Sequence, residues 1–238
     1  MATPEVPSLP KRVQEIFQAD GILHEVVRRG LVNYRALSRW MITAHDLNAS
    51  EDAVLSAIRR MKQAPGFDPF KPARALLAQC HVNVRSRACQ VMIGKAEEAR
   101  RKLPQMVQLV DLSKGEMLYF TWGEFGLKVL LDEVNVGSLE NLFGGAAVKK
   151  IVRHLSAVTV VEPEQGLNTP GVLALMSESL ALRGINVVDA VYGYPDYVFF
   201  VKESEALKAY EALGALLNSC QPKARRSATG VSIANSPQ

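Results

Sequence analysis

The spacing of apolar residues changes character along the chain, and the changes divide it. Over the first sixty residues apolar positions recur every three or four residues, which predicts amphipathic helices over 11–19, 22–29, 34–41 and 51–63. Gly21, Gly30 and Asn48-Ala49-Ser50 separate them. Ser50 is a good N-cap for the last helix, Glu51 and Asp52 complement its positive end, and Ala53, Val54, Ala57, Ile58 and Met61 form its stripe. Residues 66–72, with Pro69 and Pro72, read as a proline-broken connector.

Beyond residue 80 the period mixes. Extended chain is predicted at 82–84 and 90–93 and a charged helix at 95–103. Residues 108–112 are read as one arm of a hairpin whose turn is Ser113-Lys114-Gly115 and whose second arm is 117–122; a strand at 127–131 and a helix at 136–143 follow. The pattern then recurs: a β-branched strand at 157–161, and a helix capped by Thr169 with Pro170 in its first turn and Val172, Leu173, Met176 and Leu180 on one face. Gly184 stops that helix, strands follow at 185–191 and 197–201, and a helix is predicted at 204–217. Strand, helix, strand, strand, helix is most of a ferredoxin-like unit. The fold class expected is α+β: a helix-turn-helix-like domain followed by two ferredoxin-like βαββα(β) modules, the second lacking an evident closing strand. The boundaries expected are a flexible tail at 1–10, the helical domain at 11–76, modules at 77–153 and 154–220, and a flexible basic tail at 221–238 with one short strand at 231–233.

Composition narrows the function. The 238 residues are 48% hydrophobic and 22% charged, enough for more than one core. No apolar run is long enough to span a bilayer and no secretory pattern opens the chain, so a cytoplasmic location is expected. Cys80, Cys89 and Cys220 form no CxxC pair, which favours reduced thiols, and no metal site or cofactor is expected. His24, His45, His81 and His154 are scattered, and neither a phosphate loop nor a nucleophile elbow is present, so binding and not catalysis is expected. Asp189 and Asp196 flank a Tyr/Gly/Pro cluster that reads as a turn. Lys plus Arg against Asp plus Glu counts 11 to 8 in residues 1–76, 11 to 8 in 77–153, 3 to 8 in 154–220 and 3 to 0 in the tail. The last module is acidic and everything else is basic.

One site stands out. Asn168-Thr169-Pro170-Gly171-Val172 opens a predicted helix, whose unpaired N–H groups and partial positive charge suit a carboxylate, and Asn186 follows the helix's end. Two amides flanking that terminus would suit an amino acid. These residues resemble the ACT domain, a regulatory module that binds amino acids. In the serine-binding ACT domain of phosphoglycerate dehydrogenase the pattern is H-x-N-x-P-G-V with a further Asn opening the next strand. Asn168 and Asn186 fall on the asparagine positions, and Gly166 stands at the histidine position, which removes one polar ligand group. The resemblance implies ligand contacts at Asn168, Thr169, Gly171, Val172 and Asn186; the two modules are expected to pack on each other within the chain or across a two-fold homodimer. The middle module, without Asn-x-Pro-Gly, would be a degenerate ACT-like partner. The segments at 30–41 and 50–61 look like a helix-turn-helix, an arrangement similar to archaeal-type proteins that join such a segment to ACT modules. DNA contact would need Tyr34, Arg35, Arg39, Arg59 and Arg60. Glu51 and Asp52, at the end of the helix that would meet the bases, oppose it. The alternative is a docking partner of a metabolic enzyme.

Overall fold

The computed structural model describes residues 7–64, 67–94, 96–163 and 168–222. The tail strand expected at 231–233 lies outside them. The chain forms two compact units, Met1–Pro69 and Phe70–Gln238, so the helical unit ends before the expected residue 76.

The first unit contains α1 (Leu9–Ala19), α2 (Gly21–Arg29), α3 (Tyr34–Ala44) and α4 (Glu51–Gln63). Its starts follow the cap chemistry: the Asp20 side chain accepts from the backbone N–H groups of Ile22 and Leu23, Asn33 from those of Arg35 and Ala36, and Ser50 from that of Ala53. Val13, Phe17, Val27, Met41, Val54 and Ile58 make its core.

The second unit opens with α5 (Lys71–Leu77), a helix whose first two residues fall in the connector expected at 66–72. Pro72 sits in its first turn, where a missing N–H costs nothing. Then come β1 (His81–Ile93), α6 (Ala96–Gln108), β2 (Leu118–Gly123), β3 (Gly126–Asp132), α7 (Val136–Phe143) and β4 (Val148–Val161). The chain finishes with α8 (Val172–Ala181), β5 (Asp189–Gly193), β6 (Asp196–Lys202) and α9 (Ala206–Cys220). Two expectations are corrected here. Residues 108–112 run from the last residue of α6 to the first of a 3-10 turn rather than forming a hairpin arm, and the hairpin instead joins β2 to β3 across Gly123 and Gly126. The strand expected at 185–191 begins only at Asp189.

The six described strands join one antiparallel sheet in the order β2-β3-β1-β4-β6-β5. This order explains the missing closing strand. The β1 residues 88–93 pair with β3, while 81–85 pair with the end of β4, the edge where the second βαββα run needs a closing strand. The opening half of β4 does the same for the first run. The two runs therefore share two long strands, and the expected division at residue 153 falls inside β4.

The shared strands are bent at matched positions. Arg87 in β1 (φ 59°) and His154 in β4 (φ 57°) each occupy the left-handed region where the β1/β4 register shifts. Such bulges kink a strand and sharpen its twist. The result is a sheet folded over on itself. Tyr119 of β2 and Phe200 of β6 are four strand steps apart, roughly 19 Å in a flat sheet, yet their ring centroids are 6.4 Å apart. Lys128 of β3 and Asp189 of β5, also four steps apart, form an ion pair at 2.7 Å.

Each half thus buries two faces. Outside, α6 and α7 cover Cys89, Val91, Leu127 and Val129, and α5, α8 and α9 cover Val158, Val160, Phe199 and Val201. Inside the fold, Ala88, Leu130, Leu155, Ala157, Val198 and Phe200 form a separate core. Phe199 and Phe200 are both buried and point to opposite cores, so a one-residue slip of β6 would exchange them.

Candidate functional site

The site expected around Asn168 lies where β4 gives way to α8. The helix starts later than its sequence suggests: Gly171, not Thr169, is its N-cap, with φ 90°, and no described side chain caps it. Thr169 and Pro170 precede the helix. The reason is local. A residue with positive φ cannot continue a right-handed turn, and glycine alone adopts that conformation at little cost. Phe70, at the start of α5, packs its ring against this glycine. A Cβ placed there would stand 2.7 Å from Phe70 Cδ1 and 2.9 Å from Cε1. The uncapped first turn leaves backbone N–H groups at a positive helix end, the feature that suits an anion.

Of the expected ligand residues, Val172 is buried in the core, Thr169 and Gly171 are half-buried, and Asn168 and Asn186 are exposed. Neither asparagine side chain is hydrogen-bonded to another described residue. Gly166 lies outside the described residues. Asn186 follows a well-formed helix stop: the backbone N–H of Ile185 donates to Leu180 O and Gly184 has φ 67°.

Sequence reasoning missed Glu162, which directly follows β4. It is 3% exposed; one oxygen accepts from the Tyr192 hydroxyl at 2.7 Å, and the other is buried with no partner among the described residues. Tyr192 stacks on Tyr197 at 4.3 Å. Burial, followed by the contact with Tyr192, raises the Tyr197 hydroxyl far above the ordinary phenol range. The sequence signal was an acid directly after a β-branched strand.

The residues expected to meet DNA are placed differently. Arg35 reaches Glu51 at 3.6 Å and Asp52 at 3.9 Å, and Arg39 reaches Glu51 at 3.5 Å. Tyr34 accepts a hydrogen bond from Lys62 at 2.8 Å. Arg59 and Arg60 are exposed at the far end of α4. No described helix is long and apolar enough to cross a membrane, and no described group of His, Cys, Asp and Glu side chains could hold a metal ion.

Residues 150–215 match the family model for the ACT domain. The match begins in β4 and ends in α9. A comparison with curated proteins gives no match. Among solved structures, the chain is similar to a Vibrio cholerae protein of unknown function described as a possible transport protein, at 18% identity and a TM-score of 0.45, covering 63% of this chain and 99% of that one. It is also similar to the regulatory subunit of aspartate kinase from Thermus thermophilus in its ligand-free form, at 15% identity and a TM-score of 0.44, covering 57% and 95%. A regulatory domain of aspartate kinase from Porphyromonas gingivalis gives 15% identity and a TM-score of 0.44, covering 58% and 96%.

Proposed function

We propose that the chain is a non-catalytic regulatory protein whose C-terminal module binds an amino acid or a similar small metabolite. The observation that carries this reading is the loop at 162–171, within the segment matched by the ACT model. On one side of residues 164–167 stands Glu162, buried and with one carboxylate oxygen unpaired among the described residues, and on the other the uncapped helix start at Gly171. An unpaired buried carboxylate oxygen is costly, and a ligand ammonium would relieve that cost, while the ligand carboxylate would meet the N–H groups of α8. Asn168 and Asn186 would supply the remaining polar contacts, with Thr169, Gly171 and Val172 forming the wall. The first βαββα run is in this reading a degenerate second ACT-type module, and the protein works as a homodimer in the cytoplasm.

The helical unit then serves as the output. Its ion pairs favour docking on a protein over reading DNA: Arg35 and Arg39 are partly neutralised by Glu51 and Asp52, and Ile22, Leu31 and Trp40 are exposed. The ligand site is tested by calorimetric titration of the wild type, Asn168→Ala, Asn186→Ala and Glu162→Gln with the twenty amino acids. The proposal expects one chemical class of amino acid to bind the wild type and to bind each variant about tenfold or more weakly, the loss of one charge-assisted or paired hydrogen bond. Undiminished affinity in all three variants would remove the site. Retention on duplex DNA at low salt, falling steeply as salt is added, would restore the helix-turn-helix reading.

A further inference from the structure

The two halves of the folded sheet are related by a pseudo-twofold, and register makes the correspondence explicit. In one half Gln90, Leu130 and Tyr119 lie side by side on β1, β3 and β2; in the other Ala157, Phe200 and Asp189 do so on β4, β6 and β5. Lys128 corresponds likewise to Val198. One corner of the inner face is sealed by polar groups: Asp189, with its side chain 8% exposed, accepts from Gln90 at 2.6 Å and from Lys128 at 2.9 Å. The opposite corner has Tyr119, Ala157 and Val198 in those places. Those three residues form no ion pair, and a cavity of ≈ 480 Å³ remains, within the usual range for small-molecule sites.

Its lining has unspent acceptors. Arg85 is committed, with Nη1 on the Asp132 carboxylate at 3.2 Å and Nη2 donating to Gly115 O. The Glu116 Oε2 accepts from the Asp111 backbone N–H at 2.9 Å and from Asn135 Nδ2 at 2.8 Å, which holds its carboxyl below the usual range and ionised. Its Oε1 is left over. The Asp196 carboxylate, on the facing wall, has no hydrogen bond or ion pair to another described residue. Burial first, and then the Asp196 charge, raise the Tyr119 hydroxyl, and Arg85 opposes them. Leu112, Met117, Leu118 and Val161 supply apolar surface.

We infer that this corner binds a small organic amine, with a protonated nitrogen held by Asp196 and Glu116 and an alkyl body against Met117 and Leu118. The reasoning is one of charge and size. Asp196 has no ion pair among the described residues, Glu116 feels only a Lys114 charge that is already paired with Asp111, the guanidinium of Arg85 is paired with Asp132, the space is far larger than a metal ion, and part of the wall is apolar. The cavity adjoins Glu162 through Val161 and Asp196, but none of Glu162, Asn168, Gly171 and Asn186 lines it, and the inference stands whether or not those residues bind a ligand.

The test is titration of the full chain by calorimetry and thermal shift with 1,4-diaminobutane, 1,5-diaminopentane, lysine and n-butylamine, with butanoate as the anionic control. The amines are expected to bind and raise the melting temperature, and butanoate is not. Asp196→Asn and Glu116→Gln should each weaken amine binding about tenfold or more. Ala157→Val, which places methyl groups in the cavity, should weaken it without loss of the native circular dichroism spectrum, and Asn186→Ala should leave it unchanged. Absence of amine binding, equal binding of butanoate, or full affinity in a folded Asp196→Asn protein would overturn the assignment. Loss of amine binding in Asn186→Ala would do so too, by moving the site to the loop.

Discussion

Gly171→Ala probes the contact on which the α8 end is built. The substitution brings two costs that the structure separates. An alanine at φ 90° is strained whatever surrounds it, by about 1–2 kcal/mol. The new methyl would also stand 2.7 and 2.9 Å from two ring carbons of Phe70, so the ring or α5 must move. Overpacking of this kind costs about 1–3 kcal/mol, for a total of roughly 2–5 kcal/mol. In a Phe70→Ala background the second cost disappears and the first remains. A double-mutant cycle followed by urea unfolding should therefore show Gly171→Ala costing less in the Phe70→Ala background than with the native ring in place, by about 1 kcal/mol or more. Equal costs in the two backgrounds would refute the packing of Phe70 on this helix start.

Two further predictions concern the folded sheet and the thiols. Asp189→Ala removes the anion from a pair whose carboxylate is almost fully enclosed, leaving the Lys128 ammonium uncompensated; a loss of about 3 kcal/mol is expected in urea unfolding, and under about 1 kcal/mol would count against the closed corner. Burial pushes the Cys80 thiol up to about 11 and Cys89 up to about 12, from an ordinary 9.0. The native protein keeps these protons at pH values where the unfolded chain has released them. This contribution to stability is therefore whole below about pH 9 and lost as pH rises towards 12, and a Cys89→Ala protein should show a shallower alkaline decline in its unfolding free energy.

Local chemistry was legible in the sequence wherever a side chain acts on its own backbone. Ser50 capping α4, the limits of α4 and α7, and Gly184 ending α8 all follow from residues within one turn of the feature. What sequence could not supply was long-range. The closing strand of the second run lies in β1, far upstream, so no reading of the residues after α9 could find it. The register shifts at Arg87 and His154 are set by two strands together, and neither residue announces a positive φ. Thr169-Pro170 carries a strong helix-start signal, yet Phe70 packs on Gly171 and the helix begins at Val172. Glu162 looked like any surface acid, because its burial depends on Tyr192 from the distant hairpin.

The most direct test of the ligand site is hydrogen exchange with and without the amino acid that binds most tightly in calorimetry. The account predicts added protection of backbone amides at 168–176 and 184–188, with little change around Glu116 and Asp196. Protection confined to other parts of the chain, with those two stretches exchanging as in the free protein, would contradict it.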